Sequence, residues 1–455
     1  MQLAALLLIA SQTPVEANVQ TWQKMILPGL TYRMEVDPTI PRLVHAVRVS
    51  LKSDQISLLP ELAQGQVFNP DLDVLGRETV SAMAVRSNAL LTINADFFPL
   101  SGDPLGVMVR NGELMSSPAN GRSCVFWGPE GFFLGYLTFA ATVGNGRAEA
   151  TIYGVNEECG DNMVVLNTPR AGYAISREPA THAVLELKGP ISPKGEWTAK
   201  LKRFVTDAVQ VPVGEGEVVL TYRGTHSKTL NSFELGKEVT IKVDCGGADW
   251  KKALNAIGGG PFILRKGEEL ITYADEGFRE SFSTSRHPRS SIGVTADGDV
   301  WIVAVDGRQA MSGGATLPEM AEIMKRLGCR DAINLDGGGS TTLNLGGVTL
   351  NRPSGGQERA VANALVVLAA RRIESEGEFV IAGAAEIEAG KSANYKVVDS
   401  SGLQVPQSEV FWSAHGSAWI DQSGVLHSFE EGVATLTAFV RGKIVRLTLT
   451  SVKRA

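Results

Sequence analysis

Histidine and cysteine are scarce in this 455-residue chain, with six of the first and four of the second. No two histidines lie close together and there is no HExxH, so a histidine-built metal site is not expected. Cys124, Cys159, Cys245 and Cys329 are widely spaced and form no CxxC pair. That argues against a metal cluster or a thioredoxin-like site and leaves open either disulfides or buried thiols. Charge of one sign is also modest, a net −6 with no basic stripe of interleaved aromatics. Neither nucleic acid nor an anionic membrane is therefore an expected partner. Two nucleotide or nucleophile signatures fail as well. The glycine triplet Gly337-Gly338-Gly339 is not followed by Lys-Ser/Thr, so it is no P-loop, and Gly338-Gly339-Ser340-Thr341-Thr342 lacks the last glycine of a nucleophile elbow.

What is present is the composition of a globular protein, 44% hydrophobic and 20% charged, with 49 glycines that call for many turns. The length predicts two or three domains. Leu3 to Ala10 form an apolar run too short to span a bilayer, which needs about 20 residues. With Val15-Glu16-Ala17 after it, the run is similar to a secretory signal over 1–17, although no Lys or Arg precedes it. No later run is long enough for a transmembrane segment, so an exported protein, periplasmic or extracellular, is expected. The body runs over 18–370, a charged connector over 371–378, and a different texture over 379–455. There, β-branched residues alternate on both sides of Arg441-Gly442, which reads as a hairpin. Short strands with regular turns predict a small β-sandwich, and this stretch resembles bacterial Ig-like modules.

The clearest helix is TLPEMAEIMKRLG. Thr316 and Glu319 form a capping box, Pro318 sits in the first turn, and Gly328 is a stop signal. A strand ending at Asp306 precedes it and a strand ending at Asp336 follows, so the order reads as a β-α-β crossover with parallel strands. Asp306 and Asp336 are then expected at the same sheet edge, where ligands commonly bind. Far upstream, Ile93-Asn94-Ala95-Asp96 repeats the I-N-x-D form of Ile333-Asn334-Leu335-Asp336 after its own helix. The repeat proposes Asp96 as a third carboxylate in a similar place.

These carboxylates come with glycines and arginines. Consecutive glycine amides can converge on an anion, because glycine reaches φ > 0 without steric cost, and Ser340 adds a hydroxyl. Arg286, Arg289 and Arg359 carry planar forks suited to phosphate. Carboxylates near such a pocket can activate water, protonate a leaving group or attack an anomeric carbon. Each feature has a plain alternative. Asp-Gly after a strand is ordinarily a turn, Arg286 and Arg289 suit a solvated loop, and Phe97 and Phe98 suit a core.

Four blocks, TINADFF, AIGGGPFILRKGE, the run from SRHPRSSIGV to DGGGSTTLNL, and NRPSGGQERAVANALVVL, stand in the order found in the phosphodiester glycosidase family, which residues 28–370 resemble. The resemblance implies hydrolysis of a sugar-1-phosphodiester at the glycosidic C1–O bond. It also implies that Asn94, Asp96, Gly259, Gly260, Arg286, His287, Arg289, Asp306, Gly307, Arg308, Asn334, Asp336, Gly337, Gly338, Gly339, Ser340, Arg359 and Asn363 gather in one pocket. On that view Asp336, Asp306 and Asp96 are the catalytic carboxylates and the others bind substrate. The chain departs from the family pattern at Ala95, where glycine is expected. No cofactor is required by the sequence; the oxygen ligands present suit Ca²⁺ or Mg²⁺, but no spacing demands one. The partner is then a glycosyl phosphodiester. A non-catalytic envelope protein holding an anionic glycan is the competing reading. The expected fold class is α/β, a mixed-sheet α+β-like catalytic domain, followed by a small all-β Ig-like sandwich.

Overall fold

The computed structural model describes residues 19–71, 75–371, 373 and 377–453. The expected signal segment over 1–17 lies outside the described residues, as do residues 372 and 374–376 of the expected connector.

Two sheets frame the site. The first runs, in spatial order, Gln20–Leu27, Leu30–Asp37, Arg42–Val49, Val300–Val305, Arg289–Thr295, Cys329–Asn334, Phe262–Arg265 and Glu268–Glu269. Every neighbouring pair in it is antiparallel. The second runs Val348–Thr349, Leu343–Leu345, Leu91–Asn94, Asn363–Ala369 and Ile56–Leu62, again antiparallel throughout. Tyr32, Val47 and Ile302 from the first sheet and Ile93, Leu343 and Leu365 from the second share one buried core. The opposite face of the first sheet is covered by the helix Leu317–Arg326. Its Met320, Ile323 and Met324 pack with Val44, Val303 and Ala332, and its capping box forms as the sequence predicts. A five-stranded sheet containing Ser123–Gly128 and Asn255–Gly258 abuts this pair. Beyond it lies an eight-stranded sheet built on the long hairpin Tyr173–Glu186 and Lys194–Pro212.

The expected α/β class is wrong. The described residues are about 50% strand and 10% helix. Nearly all strand pairs among the described residues are antiparallel, the exceptions being Gly154–Val155 with Val164–Asn167 and Glu386–Glu388 with Lys443–Val452. The sheets bury their faces largely against each other rather than under crossover helices. The strand-helix-strand unit around Leu317–Arg326 does exist. Its two strands run the same way, since both pair antiparallel with Arg289–Thr295, which lies between them. One crossover in a largely antiparallel sheet misled the sequence reading for the whole chain.

From Phe379 onward the strands form three small sheets of their own. They surround Val397, Trp412 and Leu436, and the hairpin turns at Arg441 and Gly442, both with positive φ. Phe411, Trp419 and Phe439 belong instead to the core shared by the two main sheets. The four cysteines are buried and free. No described helix is long and apolar enough to cross a membrane.

Candidate active site

The two I-N-x-D segments meet. Leu91–Asn94 and Cys329–Asn334 lie in different sheets and end at the same place. Asp336 N–H donates to Ala95 O at 2.8 Å, and Asn94 Nδ2 donates to Asp336 O at 2.6 Å. Asn94 is fully buried; its Oδ1 accepts from Ser290 Oγ at 2.8 Å and from Thr342 N–H at 3.1 Å. Asn363 holds the other end, its Oδ1 accepting from Asp96 N–H at 2.8 Å. Asn334 is also buried and donates to Gly260 O and Leu335 O at 3.0 and 2.6 Å. The asparagines are therefore braces for the backbone from which the aspartates project.

Asp96 is 2% exposed. Its oxygens accept from Phe97 N–H at 2.8 Å and Gly106 N–H at 2.7 Å. Glycine is needed around it, because a Cβ on Gly258 or Gly106 would stand 2.2 or 2.7 Å from Asp96 Oδ2. Burial pushes its pKa up to about 7, against the pull of Arg122 and the two amides, and the Asp336 charge adds to the rise. Asp336 is recessed but reaches solvent. Burial lifts its carboxyl to about 6, opposed by the nearby Ser340 hydroxyl, the Gly337 amide and the Arg359 guanidinium. Ser340 Oγ is buried and makes no hydrogen bond of normal geometry.

The glycine turn does not work as three free amides. Gly337 N–H donates to Asp336 Oδ1 at 2.9 Å and Gly338 N–H to Pro288 O at 2.8 Å. What the glycines provide is room for two guanidiniums. A Cβ on Gly339 would stand 2.4 Å from Arg359 Nη2, and one on Gly338 would stand 3.1 Å from Arg308 Nη2. Arg308 and Arg359 are both exposed, and no carboxylate among the described residues forms an ion pair with either. Arg308 donates to His287 Nδ1 at 3.2 Å. Because guanidinium only donates, His287 carries its proton on Nε2. Burial, then Arg289 and Arg308, lowers the His287 pKa, so the ring is neutral.

The remaining expected residues divide. Arg289 is 1% exposed and holds its own loop, donating to Ala315 O, Phe282 O and Ser285 O. Burial, then Arg308, lowers its pKa to about 10. Arg286 is taken up by Glu319 of the capping box. Gly259 O accepts from Arg122 Nη2 at 3.1 Å, and Gly307 is packed against Pro288 and Gly314. Asp306 is a correction. It leaves its strand at the predicted edge, but its side chain is 0% exposed and turned inward. Its Oδ1 accepts from Arg352 N–H at 2.8 Å and Asn351 Nδ2 at 3.2 Å. It does not open onto the cleft, so its expected catalytic role is not supported by its position.

Sequence reasoning missed the aromatic wall. Phe97 is half-buried, with its ring centroid 5.4 Å from Phe278 and 6.1 Å from Phe282. Arg122 lies over Phe97 and Phe278 at 4.9 and 4.3 Å. Nothing local in the stretch PANGRSCVF points to that arginine; only its fold neighbours do. Among the described residues, no group of three or more His, Cys, Asp or Glu side chains is arranged to hold a metal.

The cleft is thus two recessed carboxyls with raised pKa, a cationic rim, and an aromatic wall, set at the joined ends of two antiparallel sheets. Residues 199–368 match the family model described as phosphodiester glycosidase. An uncharacterised SPbeta prophage-derived protein of Bacillus subtilis (strain 168) is 34% identical over 121 residues, which cover 26% of this chain and 18% of that protein. The match thus spans less than a fifth of that relative. A hypothetical protein from Synechocystis has a similar structure, with TM-score 0.62 and 23% identity, covering 75% of this chain and 62% of the other. A protein of Burkholderia pseudomallei K96243, named as a candidate exported protein, gives TM-score 0.59 and 22% identity, covering 72% and 74%. At these identities the two structures speak to the fold alone.

Proposed function

We propose that the protein hydrolyses a glycosyl-1-phosphodiester at the C1–O bond, releasing the free sugar and a phosphomonoester, and that it does so outside the cytoplasm. The observation that carries this reading is that Asp336 lies within electrostatic reach of both Arg359 and a second raised carboxyl, Asp96. A site that only bound an anion would gain nothing from two carboxyls. In this reading Asp336, ionised above about pH 6, acts at C1, as base toward water or as nucleophile. One water is consumed, its oxygen ending on C1. The departing phosphate needs little help from a general acid, since it is a far better leaving group than a sugar alkoxide. Its growing charge falls to Arg359 and Arg308, with the neutral His287 offering Nε2–H. Asp96, pinned by two amides, supports the segment from behind. The aromatic wall of Phe97 and Phe278 suits the apolar face of a sugar ring.

The test is a panel of sugar-1-phosphodiesters assayed for free sugar, with wild type and Asp336→Asn compared. The variant should fold normally and lose about 10²–10⁴-fold in turnover. Unchanged turnover in Asp336→Asn, or no turnover of any panel member by wild type, rejects the assignment.

A further inference from the structure

Asp306 is the residue whose position the catalytic reading leaves unexplained, and what surrounds it lies at the junction with the C-terminal strands. Its Oδ1 binds the backbone of Arg352 and the side chain of Asn351. Asn351 in turn donates to Thr341 O at 3.1 Å and accepts from Leu343 N–H at 2.7 Å. Those two bonds fix the chain directly after the Gly337–Ser340 turn. The Arg352 side chain runs the other way. Its guanidinium donates to Ala418 O at 2.5 Å, Gly416 O at 2.8 Å and Ala414 O at 3.4 Å, all on the C-terminal unit. Nε donates to Gln309 Oε1 at 2.8 Å, and Gln309 returns a bond to Arg352 O at 2.8 Å. Gln309 adjoins Arg308, and Gly307 adjoins Asp306.

The same seam carries apolar and polar contacts that a loosely tethered module would lack. Phe411, Trp419 and Phe439 complete the main core. Ser413 Oγ donates to Thr349 O at 2.6 Å, and Lys24 Nζ donates to Val410 O at 2.5 Å.

We infer that the C-terminal β unit is an integral part of the active site, and that Asp306 and Arg352 are positioning residues coupling its docking to Arg308 and the glycine turn. The chemical logic is direct. Arg352 satisfies three carbonyls of one turn with a single guanidinium, and its own backbone is held by the carboxylate that ends the strand leading to Arg308. Displacing the C-terminal turn frees Arg352, and with it Gln309, Asn351 and both borders of the cationic rim. The consequence for turnover rests on the proposed hydrolysis; the coupling itself does not.

The experiment is hydrogen exchange by mass spectrometry on the full chain, comparing wild type with Arg352→Ala and Arg352→Lys. Arg352→Ala should speed exchange at least 10-fold in peptides covering 307–315 and 336–345, as well as in 410–420. Peptides of the hairpin 173–212 serve as the internal control and should not change. Arg352→Lys, which keeps the charge, should give an intermediate effect. Ser413→Ala, a milder cut at the same seam, replaces Arg352→Ala if that variant does not fold, with the same regions expected to respond. Faster exchange in 410–420 with 307–315 and 336–345 unchanged overturns the coupling. Calorimetric binding of inorganic phosphate provides the functional arm, with at least 10-fold weaker binding expected in Arg352→Ala. If exchange shows the coupling while no phosphodiester is cleaved, the proposed hydrolysis fails and the positioning role stands.

Discussion

Asn94 ends a strand of one sheet, and Asp336 lies two residues past the end of the strand Cys329–Asn334 in another. The two are 242 positions apart and are joined by a 2.6 Å hydrogen bond from the Asn94 side chain to the Asp336 carbonyl. The bond places the aspartate by its backbone and leaves its carboxylate free to face the cleft. It also ties the carboxylate to both sheets at once, so neither can shift without moving it.

Replacing Asn94 with Ala removes this bond together with those from Ser290 and Thr342. With three bonds lost and the Thr342 N–H left unsatisfied in the core, a loss on the order of 2–4 kcal/mol is expected. Chemical denaturation of Asn94→Ala against wild type measures it, and a change below ~1 kcal/mol would show that the brace is dispensable.

The raised carboxyls give stability a definite pH slope. Asp96 and Asp336, with pKa values of about 7 and 6 in the folded protein, bind protons that the unfolded chain has already released. Their contribution is complete below the unfolded carboxylate range and is lost as pH rises towards 7. For Asp96, raised from 3.8 to about 7, the loss corresponds to roughly 4 kcal/mol. Asp37, Asp421 and Glu319 are shifted the opposite way, so their stabilisation fades only as pH falls below the usual carboxylate range. Melting temperature should therefore peak near pH 4 and decline until about pH 7. Asp336→Asn should flatten the decline between about pH 4 and 6, and an unaltered slope there would contradict its raised pKa.

The glycines of the Gly337–Gly339 turn should separate by what they face. A Cβ at Gly337 meets the Pro288 carbonyl oxygen at 2.8 Å, which is backbone and cannot move cheaply. At Gly339 the obstacle is the mobile end of Arg359. Gly337→Ala should lower the melting temperature. Gly339→Ala should leave it nearly unchanged and weaken phosphate binding by about 10-fold or more, the worth of one charged hydrogen bond. Thermal denaturation and phosphate calorimetry on both variants distinguish the two.

Much of the site could be read from residue order. The I-N-x-D pair, the glycine turn, Arg308, Arg359 and His287 do come together around one cleft. Their roles were less legible. The sequence reading expected amides to hold the anion, but Gly337 and Gly338 spend theirs internally, and the glycines instead admit side chains. Arg286 and Arg289 looked free because their partners, Glu319 and the carbonyls of Phe282, Ser285 and Ala315, are set by tertiary packing. Asp306 was placed at the right edge, but strand direction does not say which way a side chain turns. Arg122 and Phe278, far apart in sequence, had no local pattern to reveal them. The fold class failed for a related reason, since local strand-helix-strand order does not disclose that a third strand inserts between the two.

Cleavage at C1–O is the central claim, and hydrolysis in ¹⁸O-labelled water tests it most directly. A sugar-1-phosphodiester turned over by the wild-type protein should yield sugar carrying the label at C1 and a phosphomonoester free of it, by mass spectrometry of both products. Label in the phosphate would mean that the P–O bond breaks instead, and would contradict the account.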